Sequence, residues 1–442
     1  MTVLLLTVGT GTRGRTEETI LEPFGMSLRA AGCQRNILLP SRQTLPQAEM
    51  VREANPEFAI EIRPLPRDGD ENDADACFVH FDAVFESLLA SGVPPEEIIA
   101  DITRGTKAMS AALLMAAAIH RAGKVRYLVG GRQNESGSAV PGTESPRDIE
   151  PAFIRLRYSL QLAEQHLRAF SYRAVETLLD PWLPLGARPQ TPVQRQIAAW
   201  LWAARFWGAW DRFDYRGACG LLSGRPDPGA GLPAGLYPSA EQRDFLQRLA
   251  QDLPAADGER VKHGRNLAAD LLANAERRLA AGHSEEALVR IYRILELITR
   301  YRLYVHNIDT ECVKWNHPGL RAWREEMARR QDRGQPPGGR SLGRRHAAQL
   351  LAFLESGGAM RAGDAQTRSY GISQRLLDTK EWLGLSDADL RNRSLLIHGL
   401  EASAPQAGAA LQKALEALRA FYFEEHERNR GLYQTARFPF QR

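Results

Sequence analysis

Two stretches of the chain bring together residue types whose spacing could do chemistry. The first is DITRGTKAMS, Asp101–Ser110. An apolar run ends there, Arg104 and Gly105 make a tight turn, and a helix starts near Thr106. The unpaired N–H groups of a first helical turn lie at the positive end of the helix dipole. Thr103 and Thr106 add hydroxyls, and Arg104 and Lys107 add positive charge. This combination suits an anion, most naturally phosphate. A plainer role also fits, with Thr106 as a helix cap and Lys107 solvated.

The second stretch is LSDADLRNRSLLIHGL, Leu385–Leu400. Ser386 can cap a helix, Asp389 follows in capping-box position, and Gly399 can end it. Arg391 and His398 are seven residues apart, and at about 100° per residue they leave one face. Asn392 flanks that face. Histidine transfers protons near neutral pH, and a guanidinium stabilises charge building on a phosphorane. Such a face suits metal-free cleavage of RNA by attack of the ribose 2′-OH. The two residues would lie ~10 Å apart along the axis, so two such helices across a two-fold make a tighter site than one. A helix-end histidine with a surface arginine fits the same spacing. Arg393 offers a second pairing with His398, but about 140° around the helix.

A third stretch, TVGTGTRGR, places Gly9, Gly11 and Gly14 at the G-x-G-x-x-G spacing of a dinucleotide turn. Here Arg15 and a Thr16 cap follow Gly14, so the helix starts too late for that fingerprint. The acid expected about 20 residues further on is also missing, because the second strand ends LLPSRQ. The loop Gly9, Thr10, Gly11, Thr12 therefore belongs with the anion loop rather than with a nicotinamide or flavin site.

These loops need a scaffold. Val3–Val8, Asn36–Pro40, an edge segment EIRPLP, Ile98–Thr103 and KVRYLVGG read as strands. Helices are expected from about Glu17, near Pro46, over Asp75–Ser91 and after Thr106. Alternating strands and helices predict a parallel, Rossmann-like sheet in an α/β domain. Asn134–Pro151 reads as a loop and boundary, and everything beyond it reads as all-α. FSYRAVETLL (Phe170–Leu179) and FDYRGACGLL (Phe213–Leu222) resemble each other, with GHSEEALVRI (Gly282–Ile291) as a looser third copy. The expected domains are 1–152, a helical connector 153–255, and a helical domain 256–442.

The chain has 442 residues, 43% of them hydrophobic, and a formal charge of +4. That permits an anionic partner without requiring one. Cys33, Cys77, Cys219 and Cys312 show no C-x-x-C pair, and no histidine stands at H-E-x-x-H spacing. No disulfide, metal or bound cofactor is expected. No stretch approaches the roughly 20 apolar residues of a membrane span, and a cytoplasmic protein is expected.

TVGTG after the first strand, with D-x-T-x-G-T-K-A-M-S before the fourth helix, resembles the CARF domain of ancillary effectors in type III CRISPR systems. R-N-x5-H followed by Gly, with ALVRIYRILELITRYRL (Ala287–Leu303) upstream, resembles the HEPN domain of CARF–HEPN ribonucleases. The order of motifs is similar to that family over nearly the whole chain. The resemblance implies single-stranded RNA cleavage switched on by a cyclic oligoadenylate of four or six units. It implies a homodimer, antiviral defence, and products with 2′,3′-cyclic phosphate and 5′-hydroxyl ends. Arg391, Asn392 and His398 would be catalytic. Gly9, Thr10, Gly11, Thr12 and Thr103, Arg104, Gly105, Thr106, Lys107 would line the activator site. Arg104 stands where the family has a small residue. A non-catalytic sensor, and a nuclease that also degrades its activator, are the alternatives.

Lesser candidates read as structural. Glu296 is expected to pair with Arg293 or Arg300 on its own helix. Phe206, Trp207, Trp210 and Phe213 read as helical core, and the arginines of 329–345 as a solvated charge run.

Overall fold

A computed structural model describes residues 1–10, 20–131, 143–183, 191–251, 256–329, 338–357, 368–385 and 407–441. They form two compact units, Met1–Gln161 and Leu162–Arg442.

The first unit is built on β1 (Val3–Val8), where VLLLTV is buried along its whole length. Val3 and Leu5 face one side, and Leu4, Leu6 and Val8 the other, as the two-residue period of a strand dictates. A strand apolar on both faces belongs at the centre of a parallel sheet. The chain continues through α1 (Glu22–Ala31), β2 (Arg35–Pro40), α2 (Leu45–Ala54), β3 (Ile60–Ile62), α3 (Ala74–Ala90), β4 (Ile98–Asp101), α4 (Lys107–Ile119), β5 (Lys124–Val129) and β6 (Ser145–Ile149). The sheet order is β3-β2-β1-β4-β5-β6. The first five strands are parallel, and β6 runs antiparallel to β5. Phe81, Phe85 and Leu88 of α3 and Met109 and Leu113 of α4 cover one face. Phe24 and Leu28 of α1 and Val51 of α2 cover the other.

The Rossmann-like sheet is as expected, with two differences. β6 lies inside Asn134–Pro151, read above as loop. Its residues SPRDI are all exposed and carry no apolar alternation to signal a strand. Backbone pairing with β5 holds it, together with Asp148, which accepts from Arg126 at 2.8 and 3.1 Å. Pro146 is tolerated because the strand is an edge. β4 stops at Asp101 rather than Thr103, because the Asp101 carboxylate accepts from the Thr103 N–H at 2.9 Å and bends the chain. The expected start of the first helix, with Glu17 and its Thr16 cap, lies outside the described residues.

In the second unit every described regular element is a helix. α5 (Ala152–Arg168) enters it and is followed by α6 (Tyr172–Leu179), α7 (Pro192–Asp211), α8 (Tyr215–Leu221), α9 (Ala240–Ala250), α10 (Asp257–Ala280), α11 (Ser284–Val305), α12 (Pro318–Arg329), α13 (Arg344–Glu355), α14 (Arg368–Leu377), α15 (Lys380–Leu383), α16 (Ala407–Glu425) and α17 (Asn429–Ala436). The three similar sequence segments share one turn. Phe170, Phe213 and Gly282 take φ values of 59°, 64° and 81°. The next residue's N–H reaches back five residues in each case, from Ser171 to His166 (2.8 Å), Asp214 to Ala209 (2.9 Å) and His283 to Arg278 (2.8 Å). This is the Schellman closure of a helix, so the looser third copy shares the geometry of the other two.

Phe206, Trp207 and Trp210 are core, as expected, and Phe213 is half-buried beneath the Arg290 guanidinium at 5.7 Å. Trp207 packs on Phe438 with centroids 4.6 Å apart. The core also buries charge. Asp270 accepts from Trp210 Nε1 at 2.9 Å and from the Tyr215 hydroxyl at 2.8 Å. Arg277, fully buried, donates to Asp211 at 2.8 Å and stacks 3.7 Å from the Phe438 centroid. Asn274 also donates to Asp211, at 2.9 Å.

Removing Asp211 strands a buried guanidinium. Asp211→Ala should lower the unfolding free energy by about 3–5 kcal/mol in urea denaturation. A loss below about 1 kcal/mol would mean that Arg277 finds another counter-charge.

Candidate functional site

The order β3-β2-β1-β4-β5 places the switch of winding direction between β1 and β4. Open α/β sheets bind ligands at the carboxyl ends of the strands flanking such a switch. β1 runs into Gly9 and Thr10, and β4 runs into Ile102–Thr106, so the two sequence-predicted loops leave the same edge side by side.

Their backbones touch. A Cβ built on Gly9 would lie 2.9 Å from the Gly105 nitrogen, closer than real side chains come. Gly105 itself has φ +125°, and its own Cβ would meet Thr7 at 3.0 Å. Both positions therefore require glycine, one for space and one for conformation as well.

The polar side chains of the anion loop are tied to four different parts of the unit. Asp101 is almost fully buried and accepts from the Thr103 N–H and hydroxyl through one oxygen and from Ser27 Oγ at 2.5 Å through the other. Thr103 Oγ1 in turn accepts from the Leu128 N–H at 3.0 Å. Thr106 is the N-cap of α4, accepting from the Met109 N–H at 3.2 Å, and its hydroxyl donates to the Glu71 carbonyl. Ser110 Oγ donates to the Ile102 carbonyl at 3.0 Å. Arg104 Nη2 donates to Glu144 Oε1 at 3.1 Å. Lys107 is exposed at the first turn of α4. Burial pushes the Asp101 carboxyl above its ordinary value, against the hydrogen bonds of Ser27 and Thr103 and the charge of Arg126.

Gly9, Thr10 and Thr103 to Lys107 are thus neighbours at one sheet edge. Gly11 and Thr12 lie outside the described residues. Sequence reading missed Glu144, Ser27, Glu71 and Thr7, the last with a buried hydroxyl that has no hydrogen-bond partner. Ser27 and Glu71 belong to other elements and carry no local motif, and Thr7 opens the TVGTG stretch but reads there as strand. Glu144 lay in the stretch read as loop.

Arg391, Asn392 and His398 lie outside the described residues, as do Arg393, Ser386, Asp389 and Gly399. Elsewhere the helical unit is described. Glu296 accepts from Arg293 at 2.6 Å, as expected. Of the basic stretch, 330–337 lies outside the described residues. Arg344 departs from a solvated run, because it is buried and donates to the Leu376 carbonyl at 3.1 Å. Glu425 is a buried hub, accepting from Tyr301 (2.9 Å), Arg302 (3.0 Å) and Asn429 (2.8 Å). Gly264 lets α10 approach α11, since a Cβ there would fall 2.7 Å from Tyr301. No helix among the described residues is long and apolar enough to cross a membrane.

A family model described as the Csm6 HEPN domain matches residues 256–422. Over those residues the chain is similar to that domain. The chain is also similar in structure to Csm6 of Enterococcus italicus, solved bound to cyclic hexa-2′-fluoro-hexa-dAMP. The match has a TM-score of 0.52 at 14% identity and covers 99% of this chain and 98% of that one. At that identity the likeness is one of fold. No curated protein sequence matches the chain. The resemblance to CARF–HEPN proteins of type III CRISPR systems is borne out by these two findings, and the HEPN match begins one residue before α10.

Because the folded-state value of Asp101 is raised, its contribution to stability is complete below its unfolded value near 4 and is lost as pH rises through the folded value. Asp101→Asn keeps an acceptor for Thr103 and gains a donor for Ser27, and it removes the buried charge. Its stability relative to wild type should therefore rise as pH is raised above about 4 in urea melts. A gap that stays constant with pH would show that Asp101 titrates as an ordinary carboxylate.

Proposed function

We propose that the protein is a ribonuclease of type III CRISPR defence whose RNA cleavage is switched on by cyclic oligoadenylate. The carrying observation is the Csm6 HEPN match over 256–422 on a chain that also has a Rossmann-like sheet with two glycine loops meeting at its switch point. The Enterococcus italicus neighbour, bound to a cyclic hexanucleotide analogue, supports the choice of activator class. On this reading residues 1–152 sense the activator, 153–255 connect, and 256–442 cleave.

The activator's phosphates meet N–H groups at the start of α4, with Thr10, Gly11, Thr12, Thr103, Arg104, Thr106 and Lys107 around them and Gly9 and Gly105 allowing close approach. Rings of four or six adenylates are the candidates. The catalytic set is Arg391, Asn392 and His398. His398 moves the proton between the ribose 2′-OH and the leaving 5′ oxygen, and Arg391 neutralises charge on the phosphorane. Asn392 orients the phosphate. The 2′-OH attacks the adjacent phosphorus and the 5′ oxygen leaves, so the products carry 2′,3′-cyclic phosphate and 5′-hydroxyl ends. Two copies of the chain supply two such sets, and no metal ion is needed. The protein works in the cytoplasm as a homodimer. The activator must bind the active arrangement more tightly than the idle one for the switch to operate.

The test mixes purified protein with a fluorescent single-stranded RNA reporter in EDTA and adds cyclic tri-, tetra- or hexa-adenylate separately. One ring should trigger cleavage, and His398→Ala should lower the stimulated rate at least about 100-fold. A ring that binds without triggering cleavage would leave a sensor and remove the nuclease. Cleavage abolished by EDTA would remove the metal-free chemistry.

A further inference from the structure

The anion loop holds its own counter-charge. Arg104 is the one arginine in the loop Thr103–Lys107, and its guanidinium is directed to Glu144, just before β6. The contact is a single hydrogen bond of 3.1 Å from Nη2. Arg104 Nε is buried and has no hydrogen-bond partner. The two partners are unequal in freedom: the Arg104 side chain is 27% exposed and that of Glu144 only 10%. Antiparallel pairing of the following strand with β5 holds the Glu144 backbone from one side, and Thr143 Oγ1, accepting from the Gly131 N–H at 2.9 Å, holds it from the other.

We infer that Glu144 sets the affinity of the activator site by holding Arg104, and that a phosphate of the activator must take Arg104 from it. The inference rests on the activator reading above. A guanidinium on one carboxylate oxygen leaves donors of its fork unused, whereas a phosphate can accept two parallel bonds from it. Exchange goes by movement of the long, more exposed arginine, and it leaves a nearly buried carboxylate without its cation. That penalty is charged against activator binding. Glu144 is therefore an affinity-determining residue that touches no ligand, and Arg104 is the phosphate contact it restrains.

The experiment measures the Kd of fluorescent cyclic tetra- and hexa-adenylate for wild type, Glu144→Gln, Arg104→Met and the double variant, with thermal melts to check folding. Glu144→Gln should tighten binding of the recognised ring roughly tenfold, equivalent to about 1.4 kcal/mol. Arg104→Met should weaken it by a similar factor, and Glu144→Gln should have no effect in the Arg104→Met background. Unchanged or weaker binding by Glu144→Gln overturns the inference. So does tightening that persists without Arg104, because Glu144 would then act as a bystander charge. Should Glu144→Gln fail to fold, Arg104→Met alone decides, and an unchanged Kd overturns the inference. If neither ring binds wild type or any variant, the activator reading itself fails and the inference with it. Binding by wild type with a flat response to both substitutions removes the inference alone.

Discussion

The approach of Gly9 to Gly105 is the constraint on which the rest of the sheet-bearing unit depends. Two loops from adjacent parallel strands can share one ligand only if their backbones come close, and any side chain at either position would force them apart. The approach requires β1 beside β4, hence the order in which the chain reverses its winding there. It also requires β1 at the sheet centre, which its unbroken apolar run provides. Thr7 lies directly beneath Gly105, so the last side chain of β1 on the face of Val3 and Leu5 sets the floor on which the turn rests.

Around that contact the loop is held before any ligand arrives. Asp101 and Thr103 tie it to β4 and β5, Thr106 ties it to the turn at Glu71, and Arg104 ties it to Glu144 beside β6. Hydroxyls engaged in this way shape the loop and are poor candidates for gripping a ligand by themselves. The groups that remain directed outward are backbone N–H groups of the first helical turn and the exposed Lys107. A site preorganised like this loses little conformational entropy on binding. What a ligand must overcome instead is electrostatic, in the pair that already occupies the arginine.

The legibility of this arrangement in the sequence follows the range of the interactions. β1 announced itself because a strand buried on both faces needs an unbroken apolar run, and α4 because a threonine cap and an alanine-rich face are local features. The loops were legible for the same reason, since glycine, threonine and charge sit within ten residues. β6 was not, because SPRDI is a strand only by virtue of its partner β5 and of Arg126. Glu144 was hidden with it, 40 residues from the arginine it binds. Arg344 misled for the opposite reason: its neighbours are basic and exposed, while its own side chain is buried against the end of α14.

The helical unit repeats the lesson at another scale. Its three similar segments were legible as repeats although their turn residue is twice phenylalanine and once glycine. Propensity alone would not place phenylalanine at a positive φ, a conformation that costs it roughly 1–2 kcal/mol. The cost is borne because packing compensates: Phe213 lies under Arg290, and Phe170 packs against Phe440 at 5.8 Å. Arg290 itself bonds Asn274, which bonds Asp211, which holds Arg277. The turn and the buried charges are therefore parts of one assembly, in which an unfavourable backbone angle and an unfavourable buried charge each persist because the other's neighbours satisfy them. Such an assembly tolerates little rearrangement within α7, α10 and α11.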